Sequence, residues 1–259
     1  MKAAALLFII LLPVVAFSAT LEETRHLQLA TNNIQTLKIG CGAGFLNVIG
    51  AKGIGQIRAT GHIVTRNIAP NDFQQYLENQ LQLSLNRAGN NAVLRAEIKK
   101  PSQPGIEAKI DLTVIVPDEL NVTINDGSGP IIVTNLSGGL QVDDNSGKID
   151  IINVQGNIKI KDGSGGINIQ DVRGSVEVQD GSGEIKIGLV KGNVSITDAS
   201  GSITVQDIDG NVTVTDDSGS IEIHQVTHNV FIRRAGSGSL EIEGVGGRVT
   251  TREGLESEY

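Results

Sequence analysis

The sequence predicts an all-β protein: a parallel β-helix or β-solenoid of 18-residue coils, with a small helix-plus-hairpin capping insertion towards its N-terminus. Three observations carry this. Ser-Gly recurs with a period of 18 at Gly129, Gly147, Gly165, Gly183, Gly201 and Gly219. Units starting at Asn121, Gly139, Asn157, Ser175, Asn193 and Asn211 share the pattern N-V-x-I-x-D-G-S-G-x-I-x-I-x-x-V-x-G, and a seventh, from Asn229, carries one inserted residue. Val and Ile dominate the apolar content while aromatics are only 3% and Trp is absent, so the core must be aliphatic and built from strands. A unit this small cannot bury a core alone and gains one only by stacking.

Residues 1–19 read as a secretory signal peptide. Lys2 supplies the positive start, Ala3 to Phe17 the apolar stretch, and Ala16-Phe17-Ser18-Ala19 the small residues for cleavage after Ser18 or Ala19. The stretch is short for a span and contains Pro13, so a retained anchor is not expected. No Cys follows the cleavage positions to take a lipid, and the mature chain is expected to be soluble, in the periplasm or secreted to the cell surface.

Residues 20–105 are expected to hold a worn first coil and a capping insertion. The run from Leu37 to Val48 lays out a strand, a Gly-rich corner and a second strand in the repeat's order, with Cys41 in the Asp position. A helix follows between Asn71 and Glu78, with Asn71 or Asp72 as N-cap and Phe73, Tyr76 and Leu77 as its apolar face. Leu81, Leu83 and Leu85 then alternate, Gly89-Asn90-Asn91 turns the chain, and Ala92 to Ile98 alternates back as a hairpin. Helix and hairpin are read as a cap inserted between the first coil and the array, because a solenoid's end exposes core and unpaired strand edges. A loop with Pro101 and Pro104 closes this region.

Residues 106–252 form the regular array, entered by the strand of Ile110, Leu112, Val114 and Val116 and punctuated by Pro117. In each unit positions 2, 4, 11, 13 and 16 are aliphatic and face inward by strand alternation, while residues such as Lys159, Glu177, Ser195 and Thr213 face water. Glycines at positions 9 and 18 divide the coil into two halves with opposite corners; His228 breaks the second glycine column, so a locally different corner is expected there. Arg248, Thr250, Thr251, Arg252 and Glu253 replace the aliphatic pattern and blunt the last edge, and residues 253–259 are a tail.

A formal charge of −8 argues against nucleic acid and anionic lipid as partners. The single cysteine, Cys41, excludes an intrachain disulfide and reads as a structural thiol. The most distinctive polar column is Asp126, Asp144, Asp162, Asp180, Asp198 and Asp216, which by stacking would place carboxylates about 4.8 Å apart, either wet or neutralised. One reading is a calcium ladder. The other, favoured by turn chemistry, is that each Asp caps its own corner by accepting backbone N–H bonds. His26, His62, His224 and His228 read as solvated turn residues, the last pair being too far apart along a strand to share a zinc ion. Phe231 is the one aromatic in an outward column, and paired carboxylates with aromatic subsites, as a polysaccharide-cleaving β-helix would need, are lacking.

The repeated V-x-I-x-D-G-S-G-x-I-x-I-x-x-V-x-G array resembles the bacterial putative-adhesin family of β-strand-repeat domains. Phe45 to Gly50 with Gln56 to Val64 is similar to that family's opening strands, and Ile110 to Pro117 to its entry into the repeats, so the likeness spans roughly residues 34–250. It implies the β-solenoid fold and a role of largely unassigned kind, with no catalytic, cofactor or metal residue to carry over. The expected function is an exported non-enzymatic adhesin or envelope interaction module with a protein or glycan surface as partner; the alternative is a carbohydrate-binding or polysaccharide-cleaving β-helix. Any specific site is expected where the period breaks: the capping insertion, His228 and the segment from Arg233 to Gly238.

Overall fold

In the computed structural model, which describes residues 20–99 and 105–252, the chain winds between two facing sheets of 11 strands each. The signal segment, the Pro101–Pro104 loop and the tail from Glu253 lie outside the described residues. The N-terminal part contributes β1 (Thr20–Ala30), β2 (Thr36–Cys41), β3 (Leu46–Ala51), β4 (Gln56–Arg66), α1 (Phe73–Gln80), β5 (Leu81–Ala88), β6 (Asn91–Ile98) and β7 (Glu107–Pro117). One sheet then takes β8 (Asn121–Asp126), β10 (Leu140–Asp144), β12 (Ile158–Asp162), β14 (Val176–Asp180), β16 (Val194–Asp198), β18 (Val212–Asp216), β20 (Val230–Arg234) and β22 (Val249–Thr251). The other takes β9 (Ile131–Leu136), β11 (Ile149–Val154), β13 (Ile167–Val172), β15 (Gly183–Val190), β17 (Gly201–Ile208), β19 (Ile221–Val226) and β21 (Leu240–Val245).

Each 18-residue unit thus gives one strand to each sheet, in parallel register with the same positions of the next unit, as in Val142 on Ile160 and Ile151 on Ile169. The five aliphatic columns are the core: Ile124, Val133, Leu136, Ile160 and Ile187 are each at most 1% exposed. At the position-9 corner register is held chiefly by backbone. Gly147 donates to the Ser164 carbonyl and Gly165 to that of Ser182, at 3.0 and 2.9 Å. At Gly201, φ is +146° and a Cβ would fall on the Gly183 carbonyl oxygen, so both conformation and close approach demand glycine. The second corner also uses polar side chains: Asn157 and Asn193 accept, through Oδ1, the backbone N–H of Ser175 and Asn211 one coil on.

The cap departs from the expected order. β2 and β3 stack directly on β8 and β9, while β6 and β7 form the layer on their other side, so the first coil lies between the cap layer and the array. The chain must therefore step over one layer between β7 and β8. Asp118 makes the step: its N–H bonds the Ala51 carbonyl, its own carbonyl accepts from Ser137 and Gly138, and Ser137 Oγ donates to its carboxylate at 2.6 Å. Antiparallel strands finish the end, with β5 outside β6, β4 outside β7 and β1 outermost. Helix α1 buries Phe73 and Leu77; Pro70–Asp72 form a 3-10 turn before it, and Asp72 stands at the N-cap without a side-chain cap bond. His228 is exposed and the strands on either side keep register, Val226 on Ile208 and Val230 on Val212, so the missing glycine does not disturb the stack.

Position 15 of each unit is left-handed, with Asn135, Asn153, Asp171, Leu189, Asp207 and Gln225 at φ between 56° and 61°. Asn and Asp tolerate this; an exposed leucine gains nothing there and carries a cost of about 1–2 kcal/mol. Leu189→Asn should therefore raise unfolding free energy by about 1 kcal/mol, measured by urea denaturation. Gly201→Ala in the same assay should cost several kcal/mol, because its added methyl meets backbone rather than a yielding side chain.

Candidate functional site

Strand alternation does not stop at position 4: position 6 points inward too. All six repeated aspartates, Asp126 to Asp216, are consequently buried, none more than 7% exposed. Oδ1 of Asp162, Asp180, Asp198 and Asp216 accepts the N–H of the serine two residues on, at 3.0–3.3 Å. This is the corner-capping geometry. Oδ2 in every member lacks a protein partner, as does Oδ1 of Asp144. Burial, then the carboxylates in adjacent layers, pushes Asp144 up to about 6; burial and Asp180 do the same for Asp162. Asp198 also rises to about 6, through burial ahead of its neighbours Asp180 and Asp216, and burial raises Asp126, Asp180 and Asp216 as well. The column is thus buried rather than wet, and burial favours its protonated form. At one end Cys41 takes the Asp position, its thiol pushed far up by burial and by Asp126.

At the other end the column stops at Asp216, because the extra residue of the seventh unit shifts the register of the next strand. That strand bulges. Val214 still faces Ile232, but Thr215 faces Arg234, which leaves Arg233 as the extra residue. Arg234 turns out to an ion pair with Asp217. The outer face of β18, β20 and β22 becomes a groove of about 640 Å³ lined by Thr213, Thr215, Phe231, Arg233, Arg234 and Arg252, with Ile232, Thr250 and Thr251 beside them. Three arginines converge there and no lining residue is acidic, in a chain of net charge −8. Among the described residues neither Arg233 nor Arg252 has a carboxylate partner. Phe231, 39% exposed, lies between Thr213 and Thr250 in its column.

The remaining candidates are structural or scattered. His26, His62 and His224 are strand residues rather than turn residues: His26 Nδ1 lies 3.1 Å from Thr60 Oγ1, and His62 Nδ1 lies 3.3 Å from Thr24 Oγ1. Stacking brings His224 beside Glu241 and Glu243 on the outer face of β19 and β21, their ligand atoms within 4.8 Å of one another. Spacing along the chain hides that trio, because its members belong to successive coils. A second open groove, of about 650 Å³, runs along Asn121, Asn157 and Asn193 on the regular coils, where the asparagines already serve the inter-coil bonds.

Against known proteins, the family model described as Toastrack DUF4097 matches residues 56–243. No curated protein matches the sequence. Among solved structures, a putative adhesin from Bacteroides fragilis is 14% identical over 88% of this chain and 97% of its own, with a TM-score of 0.42. A putative lipid binding protein from Parabacteroides distasonis is 16% identical over 89% and 96%, at 0.40. A putative cell adhesion protein from Clostridium sporogenes is 11% identical over 90% and 99%, at 0.31.

The aspartate column sets a pH dependence of definite sign. Folded-state pKa values raised to about 6, against about 3.9 unfolded, mean that the fold holds the extra protons. The column's contribution is therefore full below about pH 4 and is lost as pH rises through about 6. Asp162→Asn keeps the acceptor for Ser164 without the charge. It should stabilise by about 1–2 kcal/mol at pH 7.5, and flatten the fall in urea midpoint between about pH 5 and pH 7.5.

Proposed function

The chain belongs to the Toastrack DUF4097 family, and from that premise we propose that it is an exported, non-enzymatic interaction module of adhesin type whose partner docks at the groove over β18, β20 and β22. One observation carries the reading. The outer faces of the regular coils mix charges of both signs, as where Lys159 meets Glu177 and Lys186 meets Glu184, whereas the groove gathers three arginines and an exposed aromatic ring with no acidic residue in its lining. Aromatic and arginine side chains in a concave site are the usual anchors of recognition.

Binding suits the groove better than turnover. Its lining of Thr, Phe, Ile and Arg holds no group that ionises near neutral pH, so it offers neither the general base nor the carboxylate pair that glycoside cleavage requires. Stacked coils supply a stiff support that fixes the groove's shape before a partner arrives. The apolar segment after Lys2 supports export, and among the described residues no helix is long and apolar enough to cross a membrane.

Binding of the labelled protein to isolated cell envelopes tests this. Arg233→Ala with Arg252→Ala should weaken retention by about tenfold or more, while Lys159→Ala on a regular coil leaves it nearly unchanged. Equal retention by all three proteins, or release of shortened polysaccharide, would reject the proposal.

A further inference from the structure

The interaction reading of the groove leaves its ligand open, and, resting on that reading, we infer that the groove takes an acidic saccharide, with Arg233 and Arg252 on its carboxylate or sulfate groups and Phe231 against a sugar ring. The chemistry of the lining points this way. A guanidinium presents a planar fork of donors that matches carboxylate and sulfate oxygens, and these two have no competing acid among the described residues. Thr213, Thr215, Thr250 and Thr251 add hydroxyls that both donate and accept, which suits a polyhydroxylated chain. Phe231 offers an apolar surface to the C–H face of a sugar, a feature that a bare phosphate or sulfate ion would not use.

Other anionic partners fit less well. An extended acidic peptide would add to a free strand edge, at β22, using main-chain hydrogen bonds. The groove instead lies on the sheet's face and crosses three strands, where, apart from the bulge at Arg233, β18, β20 and β22 are already paired with one another. An anionic bilayer is a broad negative plane, and the chain that would approach it carries a charge of −8. A single saccharide chain can reach the arginine-lined groove without lying along the acidic coils. The groove's volume of about 640 Å³ falls in the range of about 300–1,000 Å³ usual for ligand sites, room for a short stretch of sugars.

Titration calorimetry of the full exported chain separates these cases, with oligogalacturonate, a heparin oligosaccharide, neutral dextran, polyglutamate and phosphatidylglycerol vesicles as probes. The inference predicts binding of oligogalacturonate, heparin or both, no heat with dextran or vesicles, and weakening as salt is raised. Carboxylate or sulfate preference is read from which of the two binds. Affinity should fall about tenfold or more for Arg233→Ala with Arg252→Ala, and severalfold for Phe231→Ala, with unchanged urea midpoints showing that the variants fold. Arg252→Lys, which retains charge but loses the fork, should also bind more weakly. Polyglutamate binding as tightly as the saccharides overturns the inference, as does insensitivity to Phe231→Ala. So does silence with both acidic saccharides; if envelope retention then still depends on Arg233 and Arg252, the interaction reading survives and only the ligand class is wrong.

Discussion

Every layer of this protein must lie in register on the layer before it, because at the position-9 corner glycine backbone rests against glycine backbone with no side chain between. A Cβ at Gly165 or Gly219 would fall on the carbonyl oxygen of the glycine one coil earlier. The parallel hydrogen bonds that run through these corners then tie residue to residue at the 18-residue period. From this constraint the core follows: aliphatic side chains stack on their own kind, column by column, and few aromatics are needed. The period also has no slack, so an extra residue has to leave the plane.

Burial of the aspartates is a consequence of the same geometry. A strand that puts positions 2 and 4 inward puts position 6 inward, just where the corner begins and where Ser164, Ser182, Ser200 and Ser218 present backbone N–H groups that need an acceptor. Asp satisfies the turn and is penalised by the core, and protonation offsets that penalty as pH falls below about 6. The column begins from a thiol at Cys41, which tolerates burial, and stops at Asp216, where the inserted residue shifts the register of β20. The bulge puts Arg233 and Arg234 on a face already carrying Phe231 and Arg252.

Much of this was legible in the sequence. Period, core columns, first coil and hairpin all follow from alternation and glycine spacing, which report local backbone directly. Strand β1 was hidden because Glu23 and Arg25 interrupt the half-buried face of Leu21, Leu27 and Leu29; in the structure the two charges pair with each other at 2.6 Å. The layer order of the cap was hidden for a different reason: neighbours in the stack are not neighbours in the chain, and only the step at Asp118 reveals which strands meet. Asp126 opens the D-G-S turn and still obeys the strand's alternation, so a turn motif alone does not reveal its burial. The trio of His224, Glu241 and Glu243 and the Arg–Phe groove require knowing which residues stack.

The central claim is that the break in register builds the binding face, and restoring the register tests it most directly. Arg234→Asp combined with deletion of Ala235 rewrites the seventh unit as R-D-G-S-G, matching the regular coils. Envelope retention of this variant is the decisive measurement. The account predicts a chain with an undiminished urea midpoint whose retention falls about tenfold or more. A regularised chain that folds and still binds as the natural one does would contradict it.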